Sequence, residues 1–251
     1  MNNVSKNGID LIKTASKKAN SKFMKAFVGT LVMFAPLIAL CFIPYAGWAL
    51  SVLLFGVFET GYIRYFRRLI NDENPSLKVL FSEFKTGWLE TFLGAVLIIM
   101  FILGGVLLIV PGIILIGLYS MGLFVADQYK TEGIVETLKL TRNKTKGHTT
   151  SMLAYKSIFA FIYLILLVVG FFGFWGIYVL YATSPALAVV VGVVAALIIL
   201  ILFCVITTYY HACNEVLFQE MIAEDVKPVV EEKVETKETK ERKPRTKKET
   251  K

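Results

Sequence analysis

Ala186–Ile206 reads ALAVVVGVVAALIILILFCVI, 21 residues without one charged side chain. As an α-helix such a run rises about 30 Å, the thickness of the hydrocarbon core of a bilayer. A helix with one face in water would break the run with polar residues every turn. This stretch is therefore written for lipid on most of its circumference.

The same logic extends along the chain. All 27 Lys and Arg fall in four segments, with six in 1–25, five in 64–85, six in 130–156 and ten in 227–251. Between them lie 26–63, 86–129 and 157–226, each long enough to cross a bilayer and return. The hydrophobic fraction is 56% and the mean hydropathy +0.64, above the apolar fraction of about 45–50% usual in soluble domains. The net charge of +8 needs no nucleic acid to explain it. Basic loops held on one side of a membrane are what the positive-inside rule demands, and they can touch anionic lipid.

The expected fold is an all-α integral membrane protein with six transmembrane helices. The spans are Ala26–Ile43, Ala46–Ile63, Thr91–Val110, Gly112–Ala126, Ile158–Tyr181 and Ala186–Ile206. The fourth is short, so it extends toward Tyr129, sits in thin membrane or is partly re-entrant. Merging Thr91–Ala126 into one kinked helix would put the basic segments 64–85 and 130–156 on opposite sides, against the charge bias. Three hairpins result, each turned at a proline: Pro44, Pro111 and Pro185. Proline suits the first turn of a helix and disfavours helix in the residue before it.

Each hairpin follows a candidate cytoplasmic amphipathic surface helix. In Asn74–Trp88, Asn74 suits an N-cap and Pro75 the first helical position, with Leu77, Leu80, Phe81, Phe84 and Trp88 at helical spacing. Ile9–Asn20 repeats the pattern with Ile9, Ile12, Ala15 and Ala19. Glu132–Lys146 repeats it with Ile134, Val135, Leu138 and Thr141. The chain thus divides into a cytoplasmic amphipathic segment, 1–25, a six-span membrane domain, 26–222, and a charged tail, 223–251. The tail, with no aromatic residue from Lys227 on, is expected to be disordered. No cleavable signal peptide is evident, because the first apolar run follows a Lys-rich stretch of about 25 residues. Both termini are expected in the cytoplasm.

Several short motifs point to a family. Gly61-Tyr62, then Asn74-Pro75-Ser76, Leu80-Phe81 and Phe84, resemble a signature of bacterial membrane proteins. Ile109-Val110-Pro111-Gly112-Ile113 with Tyr119-Ser120-Met121 resembles it too, as does Glu136-Thr137-Leu138-Lys139-Leu140-Thr141-Arg142 closing in Lys146-Gly147-His148. The family is the domain of unknown function nine-seven-five, related to the membrane domain of some glycerophosphoryl diester phosphodiesterases. The resemblance covers roughly 10–222. It implies the six-helix architecture and the bacterial plasma membrane, and carries over no catalytic residue.

Candidate site residues are few. Ionisable groups near a membrane interior are costly and default to functional candidates. Glu59, Glu90, Asp127, His148 and His211 lie near the inner ends of the spans and would form a proton or cation site if they converged. The plainer expectation pairs Glu59 with Arg64 or another inner base, leaves Asp127 solvated, and keeps each histidine neutral on a loop carbonyl. Ala188, Gly192 and Ala196 form a small-residue row for close helix packing. Cys41, Cys204 and Cys213 show no paired spacing. No phosphate-binding glycine loop, metal-ligand cluster or hydrolase serine elbow is present, so no cofactor and no enzymatic activity are expected. The first expectation is a non-catalytic membrane scaffold that organises lipid or a protein partner. A transporter or permease-like subunit is the alternative, and a lipid-modifying enzyme using His148 or His211 the third.

Overall fold

A computed structural model describes residues 8–241 except 45, 86, 108 and 132, with the helix backbone alone given for 104–112 and 224–241. The described residues form helices and turns, with no strand. The helices are α1 (Gly8–Asn20), α2 (Phe23–Cys41), α3 (Ala46–Ile70), a 3₁₀ helix (Leu77–Lys85), α4 (Trp88–Leu107), α5 (Ile109–Tyr119), α6 (Gly122–Tyr129), α7 (Ile134–Thr145), α8 (Thr149–Thr183) and α9 (Pro185–Glu241).

Four helices are long and apolar enough to cross a membrane: Phe23–Cys41, Ala46–Ile70, Thr149–Thr183 and Pro185–Ala223. They form two antiparallel pairs. In the first, Tyr65 Oη donates to Lys25 O at 2.9 Å, and Ser51 Oγ donates to Leu37 O at 3.2 Å. In the second, Tyr163 Oη lies 2.9 Å from Thr207 Oγ1, and Gly192 packs toward Ile177. Thr30 Oγ1, 2.9 Å from Thr208 Oγ1, and the edge-on rings of Phe34 and Phe203 join the pairs. Pro44 lies in the α2–α3 turn, and Pro185 opens α9.

The middle of the chain departs from the expected hairpin. The 3₁₀ helix and α4 meet at 97°. Pro111 sits in the first turn of α5, where its missing N–H costs nothing. The fourth apolar run is then broken: α5 stops at Tyr119 and α6 starts at Gly122, with Met121 between them at φ −93°, ψ 11°. Gly122 to Asp127 are all buried, so α6 is an interior helix of the bundle. Lys130, at φ 49° and ψ 46°, closes α6 in the left-handed region.

The surface helices also differ in register. The α1 face that packs on α8 and α9 is Gly8, Leu11, Ala15 and Ala19, while Ile9 is exposed. Asn74 caps nothing: its Oδ1 accepts from Lys25 Nζ at 2.7 Å, and the 3₁₀ helix begins at Leu77. In α7 the buried face is Thr137, Thr141 and Thr145, with Val135 exposed. Each threonine hydroxyl donates to the carbonyl four residues earlier, at 2.9, 2.7 and 2.9 Å. A hydroxyl satisfied by its own helix can be buried at little cost. Helix α9 runs to Glu241, so residues 223–241 of the segment expected to be disordered are helical. Glu and Lys, frequent in this segment, have high helix propensity. Residues 242–251 lie outside the described residues.

Backbone contacts set two crossings. A Cβ on Gly94 would stand 2.5 Å from Gly56 Cα, and one on Gly61 would stand 2.1 Å from Leu80 O. Only glycine lets α3 approach α4 and the 3₁₀ helix so closely. The small-residue row of α9 is weaker than expected. Ala188 is buried, a Cβ on Gly192 would stand 3.6 Å from Ile177 Cγ2, and Ala196 is exposed.

Candidate functional site: a polar-based cavity above an ionic clasp

The basic segments 8–25, 64–85 and 130–156 meet at one end of the bundle. Lys22 Nζ reaches Leu69 O at 3.1 Å and Asp72 Oδ1 at 2.9 Å. Tyr209 Oη donates to Asn20 Oδ1 at 2.7 Å. Gly8 abuts Ala154 and Tyr155.

At this end α3 presents Arg64 and Arg67, three positions apart and so on one face. Arg64 donates to Glu83 of the 3₁₀ helix and to Asp127 of α6. Arg67 Nη1 donates to Asp127 Oδ2 at 2.9 Å and to Gln128 Oε1 at 3.1 Å. Arg67 Nε donates to Glu215 Oε1 at 3.1 Å, and Gln219 Nε2 to the same oxygen at 3.0 Å. The Arg67 guanidinium lies 5.4 Å from the Phe218 ring centre. With Lys130 Nζ 3.5 Å from Asp127, three bases face three acids. Glu83, Asp127 and Glu215 are all buried. Buried carboxylates need such partners, because desolvation of an unpaired charge is severe. The network is a clasp joining α3, the 3₁₀ helix, α6 and α9.

One layer further into the bundle lies a second polar group. Glu59 Oε1 stands 3.5 Å from His211 Nδ1. The His211 ring meets Tyr62 edge-on, with centroids 4.7 Å apart. Tyr62 Oη lies 2.6 Å from Thr30 Oγ1. Lys156 Nζ donates to Tyr210 Oη at 3.2 Å, and Tyr155 Oη donates to Asn214 Oδ1. Helices α2, α3, α8 and α9 all contribute.

Glu59 and His211 form part of the wall of a cavity of about 730 Å³. The rest is mainly apolar, with Phe55, Leu97, Phe124, Leu167 and Phe203 representing five helices, and Gly170 leaves room on the α8 side. Its polar contributors besides Glu59 and His211 are Ser120, Tyr163, Thr207 and Tyr210. Two of these atoms stand out. Ser120 Oγ and His211 Nδ1 are buried and have no hydrogen-bond partner among the described residues.

The five expected inner acids and histidines therefore do not gather at one point. Glu59 meets His211, and Arg64 turns away from Glu59 to Glu83 and Asp127. Asp127 is buried in the clasp instead of solvated. Glu90 is buried in the first turn of α4, where the helix dipole favours a carboxylate. His148 is the residue before α8 and, like Glu90, is not part of the cavity wall. Glu83, Lys156 and Glu215 belong to these groups too, yet each looks in the sequence like an ordinary surface charge. Their partners lie 19, 54 and 148 positions away along the chain. Among the described residues no three His, Cys, Asp or Glu are grouped to hold a metal ion. No family model matches the chain, and no match is found among curated proteins or solved structures.

Proposed function

We propose that the protein is a non-catalytic, multi-pass membrane protein that holds lipid within its helix bundle and organises it at the inner leaflet. The reading rests on one observation, the cavity of about 730 Å³ between α2, α3, α4, α6, α8 and α9. That volume is in the range of about 300–1,000 Å³ typical of small-molecule sites. Leu167, a wall residue of α8, is also exposed on the surface of that helix. Such a site would be entered sideways from the bilayer.

In this reading the chain crosses the plasma membrane of a bacterium six times, with α4 and the α5–α6 pair as the middle hairpin and both termini in the cytoplasm. The clustering of basic segments 8–25, 64–85 and 130–156 at one end supports that orientation. These segments would rest on anionic headgroups, each basic side chain near the surface adding about 1 kcal/mol. Membership of the domain-of-unknown-function nine-seven-five family belongs to the same proposal. It rests on the sequence motifs alone, among them Gly61-Tyr62 and Tyr119-Ser120-Met121.

A photoactivatable acyl lipid fed to cells expressing the protein tests the proposal. Crosslinks are expected to concentrate on Leu166, Leu167 and Phe203. Labelling spread evenly over the outer faces of α8 and α9 would show ordinary annular lipid and end the proposal.

A transporter is the second reading, favoured by Glu59 and His211 in the cavity wall, since intramembrane ionisable pairs often mark ion paths. Proteoliposomes that move neither protons nor solute under a pH gradient would dismiss it.

A further inference from the structure

Three features of the cavity narrow what it can hold. The first is its unmet hydrogen bonding. Ser120 Oγ and His211 Nδ1 are both buried in the wall and unpartnered among the described residues. His211 is only 5% exposed, and its ring is fixed by Tyr62 and Tyr210 on its edges. A buried polar atom without a hydrogen bond costs about 1–3 kcal/mol; His211 Nδ1 has Glu59 Oε1 at 3.5 Å but makes no hydrogen bond to it, so both atoms have a bond left to make. The other polar wall groups are occupied: Tyr163 with Thr207, and Tyr210 with Lys156.

The second feature is charge. Glu59 is the one charged residue among those of the wall, which includes no Lys or Arg. Arg64, Arg67 and Lys130 are committed to the clasp. Lys156, buried just behind the wall with its Nζ 3.2 Å from Tyr210 Oη, balances Glu59, so a headgroup of either sign would enter without a free counter-charge. Neither sign of charge is matched.

The third feature is shape. The remaining wall is aromatic and aliphatic, and suits an acyl or alkyl chain.

Building on the lipid-holding function proposed above, we infer that the cavity binds an uncharged amphiphile with one apolar chain and a hydroxyl-bearing head, whose hydroxyls bond Ser120 and His211. A hydroxyl both donates and accepts, so it serves the serine and either tautomer of the imidazole. The chain lies against Leu97, Phe124 and Phe203, and the head lies beside Ser120 and His211.

The test uses the full-length protein, delipidated in an amine-oxide detergent and titrated with four probes: monoolein, oleate, oleylamine and phosphatidylglycerol. Native mass spectrometry reads the bound stoichiometry. Monoolein is expected to bind one per chain and more tightly than the other three. Ser120→Ala and His211→Phe should each weaken it about three- to tenfold, the worth of one hydrogen bond. Gly170→Leu should abolish binding by filling the cavity, since a Cβ there meets only Ile199 at 3.7 Å. Ser120→Ala removes one oxygen at the end of a helix, so it serves if His211→Phe does not fold. Tighter binding of oleate, oleylamine or phosphatidylglycerol, lost in Gly170→Leu, overturns this inference and leaves the lipid-holding function standing. Monoolein binding insensitive to both Ser120→Ala and His211→Phe also overturns it. If no probe binds, or if Gly170→Leu binds all of them as the wild type does, both fall.

Discussion

Arg67 Nε donates to Glu215 Oε1 at 3.1 Å, tying α3 to α9 across 148 positions of chain. The same guanidinium reaches Asp127 on α6, so one side chain holds three helices at the basic end of the bundle. Arginine does this because its planar fork offers donors in several directions at once.

Replacing Arg67 by Met is expected to strand Glu215, while Asp127 keeps Arg64 and Lys130. Removing one partner of a buried ion pair costs about 3–5 kcal/mol, because the other charge stays buried. Arg67→Lys should recover only part of the loss, since one ammonium cannot reach both carboxylates in the same geometry. Thermal unfolding in detergent followed by circular dichroism reads both variants. A melting temperature for Arg67→Met equal to that of the wild type would mean that the clasp carries no stability.

Much of this architecture is legible in the residues. The apolar runs of α2, α3, α8 and α9 announce their length and solvent, and Pro44 and Pro185 stand where helices turn. The clasp is hidden for a physical reason. Glu83 and Glu215 sit in polar stretches where a carboxylate looks solvated, and only the folded chain brings Arg64 and Arg67 to them. The α5–α6 break is hidden as well, because Tyr119, Met121 and Leu123 continue an apolar pattern through it. In α7 the hydrophobic rule itself misleads. Thr137, Thr141 and Thr145 are buried in place of Val135 because their hydroxyls are already satisfied. The cavity and its two unpartnered atoms arise from six helices together, which no local pattern encodes.

The glycine crossing supplies a contrast that needs no ligand. Gly94→Ala places a methyl group 2.5 Å from Gly56 Cα, backbone against backbone, so α3 and α4 must part. Overpacking of this kind costs about 1–3 kcal/mol. Gly173→Ala in α8 meets nothing within 4 Å and should be neutral or slightly stabilising, alanine being the better helix former. Measured side by side by thermal unfolding, the two alanines should differ in sign. Equal effects would refute the close crossing.

The α7 threonines separate a hydrogen bond within a helix from one between helices. The single hydroxyl hydrogen of Thr145 can be shared between Leu118 O, 3.0 Å from Oγ1, and Thr141 O at 2.9 Å, whereas Thr141 Oγ1 donates to Thr137 O within its own helix. Leu118 lies in the last turn of α5, where a carbonyl has no helical N–H to receive. Thr145→Val should therefore cost about 1 kcal/mol, and Thr141→Val less, because the Thr137 carbonyl keeps its helical partner. Chemical denaturation of the two valine variants checks the order, and a larger loss for Thr141→Val would contradict it.

The orientation makes a prediction that separates six crossings from its rival. With the native Cys41, Cys204 and Cys213 replaced by serine or alanine, single cysteines are introduced at Lys18, Phe42, Lys139 and Thr183. A membrane-impermeant maleimide added to intact cells is expected to label Phe42→Cys and Thr183→Cys, which lie at the turns ending α2 and α8. Lys18→Cys and Lys139→Cys should stay unlabelled until the cells are opened, because both lie in the basic segments that pack at the opposite end. The decisive position is Lys139. If 88–129 crossed the membrane once, α7 would face the outside, apart from the helices that α1 packs on, and the Lys139 cysteine would react in intact cells. Six crossings keep it with Lys18, on the side where the positive-inside rule gathers Lys and Arg.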